Sequence, residues 1–380
     1  MRTRVLSRVR DVAASQWDAL FPGPYPFTRH AFLAALEAHG CVGPRTGWEP
    51  AHLVLEDATG LVAAMPLYRK RHSYGEFVFD FAWAEASHRL GVRYYPKLLC
   101  AIPFTPVTGP RLAARSTAHR QALLGRLAGL IGADAFGSAH ALFLDETDAD
   151  AAAAAGGWLE RNDVQFHWHG RGDASFDDFL ARLSHDKRKK IRRERRRVAE
   201  AGVRFEWRAG EELSEAQWDE VYALYGNTYE ERGQAPYLTP AFFLDHGRRP
   251  GSPWRLILAR ENERLIAVAL TALGGDTLYG RHWGCAERYD GLHFETCYYQ
   301  GIELCLAQRL AHFDAGAQGA HKLARGFEPV VTRSAHRLAD ARLAQAVGTF
   351  LERERAAVAQ RQLLLAEHSP YRSEAAVADG

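Results

Sequence analysis

At 380 residues and 47% apolar content, the chain can build two ordinary cores and is too hydrophobic for a disordered segment. Its 48 basic and 46 acidic residues leave a net charge of +2 at pH 7, so bulk charge gives no argument for a nucleic-acid partner. Five cysteines without CxxC or Cys/His ligand spacing argue against a disulfide scaffold or zinc finger, and no signal-like start or 18-residue apolar run stands out, so a cytoplasmic protein with free thiols is expected.

In chain order, helices are expected at Ala14 to Leu20 and Arg29 to Ala38. Trp48 then opens a β-like region: an apolar run from His52 to Leu55, an acidic turn at Asp57 to Gly60, a second run from Leu61 to Tyr68, and a third led by Tyr74-Gly75. A helix at Ala118 to Ile131 and a strand at Ala141 to Leu144 follow. The alanine run Ala151 to Ala155 reads as a helix continuing into Trp158-Leu159, and Val164 to Trp168 as a strand. Gly170 to Asp173 makes a joint, which closes a first domain at residues 1–170.

The same order then returns. Gln16-Trp17-Asp18 recurs as Gln217-Trp218-Asp219, Ala31-Phe32-Leu33 as Ala241-Phe242-Phe243-Leu244, and Trp48 as Trp254, at an offset of about 205 residues. Behind Trp254 come Arg255 to Ala259, the turn Glu261 to Arg264, the run Leu265 to Ala272, and a third led by Tyr279-Gly280. Two diverged copies of one α/β (α+β) unit are the economical reading, with a second domain at 171–340. Residues 341–380 form a helical tail, Asp340 to Leu365, and a frayed end from Glu367.

The second domain opens on a helix at Phe176 to Leu183 and then on the densest charge run of the chain. Nine of the eleven residues from Lys187 to Arg197 are Lys or Arg, interrupted only by Ile191 and Glu194. With Ser184 as N-cap and Gly202 as stop, residues 184–201 make one helix that buries only the stripe Leu183, Ile191 and Val198. The other faces meet water or a phosphate-rich partner such as tRNA. No aromatic residue interleaves with the charges, so backbone phosphates and not stacked bases would be the contact.

Chemistry concentrates between His293 and Phe327. Glu295, Tyr299 and Glu303 fall at i, i+4 and i+8, beside an apolar face that includes Phe294, Tyr298, Ile302 and Leu306. Ala311 to Asp314 reads as a short strand, Gly316-Ala317-Gln318-Gly319 as a glycine loop, and His321 to Arg325 as a short helix stopped by Gly326; a strand returns at Phe327 to Val331. Strand, glycine loop and helix start together offer N–H groups to an anion. At the matching place in the first copy, Tyr94-Tyr95-Pro96-Lys97 shows no such ladder, so the reactive end is expected in the second copy.

The strand, loop and short helix ending in Arg325-Gly326-Phe327-Glu328 resemble the close of a GNAT acyltransferase domain, and two such domains with a basic helix opening the second resemble the Fem-type aminoacyltransferases. The runs Ser73 to Asp80 (SYGEFVFD), Tyr94 to Leu98 (YYPKL), Pro103 to Gly109 (PFTPVTG) and Gly316 to Lys322 (GAQGAHK) resemble the bacterial FemAB-like family of peptidoglycan biosynthesis or recognition, over roughly residues 25 to 340. The resemblance implies two tandem GNAT-like domains, each a mixed central sheet flanked by helices. It further implies N-acyl transfer, acetyl or aminoacyl, from acyl-CoA or aminoacyl-tRNA as donor substrate, with no resident cofactor. The acceptor would be an amine on a small molecule or a peptidoglycan precursor. A non-catalytic module recognising such a precursor or an RNA is the alternative. The chain departs from the GNAT pattern in lacking a clean Arg/Gln-x-x-Gly-x-Gly/Ala pyrophosphate loop: Thr108-Gly109-Pro110-Arg111 and Gln300-Gly301 are its nearest substitutes, and Ala320 stands where an acidic residue is expected before His321.

Acyl transfer to an amine needs a base, N–H donors for the oxyanion, and a group to meet the departing atom. Glu295 is the candidate base. His321 and Lys322 are candidates at the leaving group, where Fem-type enzymes carry a lysine, and Tyr298 is a candidate proton donor unless it is only core packing. Gln300, Gly301, Gly319, Lys322 and Arg325 are assigned to donor binding. Lys97, Arg111, Tyr299 and Asp314 are assigned to the substrate, Asp314 either orienting His321 or capping a turn. His167-Trp168-His169 could co-orient two imidazoles on a strand, but no third ligand is identifiable and no metal is expected. HExxH, P-loop and Gly-x-Ser-x-Gly motifs are absent.

Overall fold

The computed structural model describes residues 1–132, 135–286, 289–317 and 319–372. Its contacts divide the chain into two compact units, residues 1–164 with 331–360 and residues 165–330 with 361–380.

The first unit contains β1 (Arg2–Leu6), β2 (Trp48–Pro50), β3 (His52–Asp57), β4 (Gly60–Met65), β5 (Leu67–Lys70), β6 (Lys97–Cys100), β7 (Ala113–Ala114), β8 (Ser138–Leu144) and the start of β9 (Leu159–His169). One sheet runs β1-β3-β4-β7, and β2-β5-β6-β8 are neighbours in another, where β6 and β8 pair in parallel. Residues 333–338 of the chain's last strand add to β8 antiparallel. Helices α1 (Ala14–Leu20), α2 (His30–Ala38), α3 (Phe81–Arg89), α4 (Thr117–Ala128) and α5 (Glu146–Ala155), with residues 341–360 of the tail helix, complete the unit. Its core holds Leu53, Leu55, Val62, Met65, Leu98 and Leu124. Leu53 and Leu55 share one face of β3, and the consecutive buried residues of β3, β4 and β6 show that both faces of these strands are covered.

The second unit contains α6 (Phe176–Arg182), α7 (His185–Glu200), α8 (Glu215–Glu230), β10 (Arg204–Ala209), β11 (Trp254–Glu261), β12 (Arg264–Gly274), β13 (Thr277–Cys285), β14 (His312–Asp314) and the start of β15 (Glu328–Leu338). Its strand order is β10-β11-β12-β13-β14-β9, antiparallel except for the parallel pair β13 and β14. α8 lies close on β13: Thr228 Oγ1 donates to the Trp283 carbonyl at 2.6 Å, and a Cβ on Gly284 would stand 2.0 Å from the Leu224 carbonyl oxygen. Only glycine permits that approach. Among the described residues no helix is long and apolar enough to cross a membrane.

The repeat has a structural counterpart. Trp17 on α1 and Trp218 on α8 each bury the indole and donate its N–H to a backbone carbonyl, Thr28 at 2.9 Å and Gly210 at 3.0 Å. Two local expectations fail. α5 ends at Ala155, because Gly156 and Gly157 take φ of 68° and 70°, and Leu159 already belongs to β9. Ser73 to Asp80 is a loop, whereas Tyr279-Gly280 lies in β13; Gly75 and Phe77 both take positive φ, and Glu76 turns inward to an ion pair. β1 and α3 have no forerunner in the sequence reading. The tail helix is Ala341–Glu367; the frayed end expected beyond it and Gln318 of the glycine loop fall partly or wholly outside the described residues, which omit 318 and 373–380.

Candidate functional site

Within the second unit, a helical run from Leu292 to Gln308 carries most of the chemistry. It is not a uniform α-helix, because Glu295–Tyr299 forms a π turn between Leu292–Phe294 and Gln300–Gln308. A π turn rotates the following residues and often occurs at functional positions. The α-helical ladder expected from spacing is therefore re-phased. Glu295, Gln300 and Glu303 converge around Arg195 of α7, while Tyr299 turns to Glu194.

Glu295 is buried, and both its oxygens lie 3.2 Å from Arg195 Nε; Gln300 Nε2 donates to Oε1 at 2.9 Å. Burial raises the Glu295 pKa, and Arg195 opposes the rise. Arg195 Nη1 also donates to Glu303 at 2.9 Å, and its guanidinium lies over the Phe176 ring. Gln300 Oε1 accepts the indole N–H of Trp207 on β10 at 3.1 Å. Gly301 lies inside the helical run, where a Cβ would stand 2.4 Å from Phe313; its bareness lets that ring pack.

A second group sits after β14. Asp314 Oδ1 accepts the Gly316 N–H at 2.9 Å, capping the turn, and lies 3.6 Å from His167 Nε2. Gly319, at φ 112°, leads into a short 3-10 helix, Ala320–Arg325. On it, Lys322 is 1% exposed and Nζ donates to the Gly316 carbonyl. Burial lowers the Lys322 ammonium to about 8, with Asp314 opposing. His321 Nε2 and Tyr298 Oη are 2.9 Å apart, and burial raises the Tyr298 phenol and lowers His321. Arg325 is spent internally: it stacks 3.4 Å from the Phe294 centroid and donates to Glu194 Oε1 at 2.9 Å and to the His321 carbonyl at 2.8 Å.

α7 divides its charge. Ile191 and Val198 are buried, and Glu194 and Arg195 face the helical run. Lys189, Lys190, Arg192, Arg193, Arg196 and Arg197 are exposed. Arg192 pairs with Asp177 at 3.2 Å and Arg197 with Asp290.

Of the residues assigned from sequence, the structure brings Glu295 with Gln300, Tyr298 with His321 and, 5.9 Å from its ring centroid, the Nζ of Lys322, and Arg325 with the His321 carbonyl. Tyr299 joins Arg325 through Glu194. Lys97 and Arg111 lie in the first unit, buried and internally bonded. Arg111 Nη1 donates to Tyr25 Oη at 3.2 Å and to the Pro110 carbonyl at 3.1 Å, and the guanidinium also meets the Val107 carbonyl. Lys97 bonds Ser73, Glu76 and Asp80.

Sequence reasoning does not foresee that Lys70, Glu76 and Asp80 are buried around Lys97. A signal exists for them: charged residues at the ends of apolar strands, close to an acidic loop, seldom stay buried unpaired. It also reads Glu194 and Arg195 only as parts of a charge run. No periodicity ties Arg195 to a carboxylate 100 residues away.

The profile of the FemAB-like family, described as peptidoglycan biosynthesis/recognition, matches residues 8–373. No curated protein matches the chain by sequence similarity. Among solved structures, FemX superposes with a TM-score of 0.55 at 11% identity, covering 92% of this chain and 100% of that one. L-PGS from Bacillus licheniformis does so with a TM-score of 0.51 at 8% identity, covering 90% and 97%. At such identities the likeness is one of fold, mixed sheets flanked by helices.

Proposed function

The chain belongs to the FemAB-like family of peptidoglycan biosynthesis/recognition, and on that premise we propose that it is an N-acyltransferase, moving an acyl or aminoacyl group from an activated donor to an amine on a peptidoglycan precursor or a related small molecule. The observation that carries the reading is Lys322: an amine with almost no exposed surface, on a strand, glycine loop and helix, lowered to about 8 and flanked by the Tyr298–His321 pair. An acid in that range gives a proton to a departing oxygen or sulfur and recovers it near neutrality. Glycine-loop N–H groups and Lys322 together offer the positive field that a tetrahedral oxyanion or a donor phosphate needs. Glu295 is the candidate for the proton lost from nitrogen during transfer, and the N–H donors of Gln300 and Arg195 must release its carboxylate for that role.

Donor choice between acyl-CoA and aminoacyl-tRNA turns on α7. Six exposed cations on one helix suit a backbone of phosphates better than a single pyrophosphate, which favours aminoacyl-tRNA. The closed contacts of Glu295 with Arg195 and Gln300 favour one other reading, a recognition module without turnover.

Melting of the purified chain against acetyl-CoA, CoA, tRNA, aminoacyl-tRNA and a soluble precursor decides among these. A ligand at about 100 times its Kd adds roughly 2.7 kcal/mol. A shift with tRNA is expected; one with the precursor alone would leave recognition as the function. Glu295→Gln is expected to abolish turnover and keep the donor shift, and unchanged turnover removes Glu295 from the mechanism.

A further inference from the structure

In the first unit, β5 and β6 set Lys70 and Lys97 opposite one another in antiparallel register, both with no exposed surface. Like charges placed so repel while losing their hydration, and they persist only with counter-charge. The loop from Ser73 to Asp80 supplies it. Lys97 Nζ donates to Ser73 Oγ at 2.8 Å, to Glu76 Oε2 at 2.8 Å and to Asp80 Oδ2. Those three bonds use every N–H of an ammonium, so Lys97 is the fixed post of the cluster.

Each carboxylate is only half used by it. Glu76 Oε1 and Asp80 Oδ1 are buried acceptors without a hydrogen-bond partner, in residues 4% and 2% exposed. Lys70 is held by longer contacts, with its Nζ 4.0 Å from the centroid of the Trp48 ring. Its Nζ donates to the Tyr74 carbonyl at 3.1 Å and stands 3.5 Å from His72 Nδ1 and 3.9 Å from Glu76 Oε1. The last distance is too long for a hydrogen bond, so Lys70 reaches Glu76 by charge alone and Oε1 keeps its acceptor capacity unused. Beside this cluster, a chain of hydroxyls leads outward: Ser73 Oγ meets Tyr95 Oη at 2.7 Å, and Tyr95 is half-buried. On the outer side of the same loop Tyr74 and Phe79 are exposed, with Phe81 5.9 Å from Tyr74 and 6.4 Å from Phe79 between ring centroids.

We propose that this cluster is an amine site: Glu76 Oε1 and Asp80 Oδ1 accept hydrogen bonds from the ammonium of a substrate, and Lys70 Nζ removes one of its protons. The substrate class is a primary amine whose carbon frame has an apolar face for Tyr74, Phe79 and Phe81. One N–H bond breaks on the substrate and one forms on Lys70, the positive charge passes to Lys70, and the amine keeps its lone pair for attack. The groups that face Lys70 are Glu76, Lys97, Asp80 and His72. Burial lowers Lys70 to about 7 and raises Glu76 to about 7, so a neutral Lys70 is available close to neutral pH. The inference rests on the reading that the chain acylates amines, and it concerns the step that makes the amine neutral before transfer.

The test uses the full chain with glucosamine and D-alaninamide as probes, each against its N-acetylated form. The free amines are expected to raise the melting temperature and the N-acetylated forms to leave it unchanged. Glu76→Gln is expected to lose that rise. Lys70→Met, which removes a competing cation, is expected to bind the amines at least as tightly while lowering the transfer rate about 100-fold, as loss of a general base does. Equal shifts with the N-acetylated probes, a shift retained in Glu76→Gln, or weakened amine binding in Lys70→Met would each overturn the proposal. Should Glu76→Gln fail to fold, Lys70→Met decides alone. Amine binding that needs Glu76, without transfer from any donor, keeps this site and removes the acyltransferase reading. Transfer indifferent to both substitutions does the reverse.

Discussion

Lys322 keeps an ammonium in a place where water cannot reach it, and this ties the proposed leaving-group role to stability. Its folded pKa of about 8 lies below the ordinary 10.5. Between these values the unfolded chain holds the proton more tightly, so this residue makes stability rise with pH from about 8 to about 10.5, by on the order of 3 kcal/mol. Below pH 8 both states are protonated and that contribution is absent. Lys322→Met, neutral throughout, is expected to show a shallower rise than the parent when melting is followed from pH 7.5 to 10.5; parallel curves would mean that Lys322 is well solvated. At this scale the sequence is informative about identity and weak on partners. The run Gly316 to Lys322 points to Lys322 and His321, but the Arg195 clamp on Glu295 and the Lys70–Lys97 register come from tertiary structure. Arg111, two residues beyond the stretch Pro103 to Gly109, is assigned to the substrate from sequence alone, and only the structure shows its Nη atoms meeting Tyr25 Oη and the Pro110 and Val107 carbonyls.

α7 is the element most fully legible in the sequence, because its buried stripe, N-cap position and stop are all local signals. What spacing cannot give is the split of its charge between the protein and solvent. Arg195 is committed to Glu295 and Glu303, so it should be left out of any test of anion binding. Changing Arg192, Arg193, Arg196 and Arg197 together to Gln is expected to weaken tRNA binding and flatten its salt dependence by up to about 0.9 in slope for each phosphate no longer neutralised. Binding measured across a salt series checks this, and an unmoved affinity would make the helix a solvated face. The 292–308 run is the opposite case. Its helical character is legible, yet one π turn moves Gln300 beside Glu295 and takes Tyr299 away from it, which no α-helical period can anticipate.

For the whole molecule, the duplicated tryptophans and turns reveal two copies of one unit, while the division into compact units requires the structure. Residues 331–360 belong with 1–164. Arg333 reaches Glu160 and Asp150, Arg161 pairs with Glu354, and Thr332 Oγ1 lies 3.4 Å from the Asp163 carbonyl. These partners lie far apart along the chain, beyond any local pattern. Residues 1–164 expressed alone are therefore expected to be unfolded or aggregated, and the same segment joined through a short Gly/Ser linker to 331–360 is expected to melt cooperatively. Cooperative melting of 1–164 alone, followed by circular dichroism, would show that the distant strand and helix are dispensable. The arrangement also sets a clock on biosynthesis. At roughly 5–20 residues per second, the ribosome needs on the order of ten to thirty seconds to pass from residue 164 to residue 331. For that interval the first half of the nascent chain waits with β8 lacking its last partner, which makes it a client for chaperones until the stretch beyond Val330 emerges to complete its sheet.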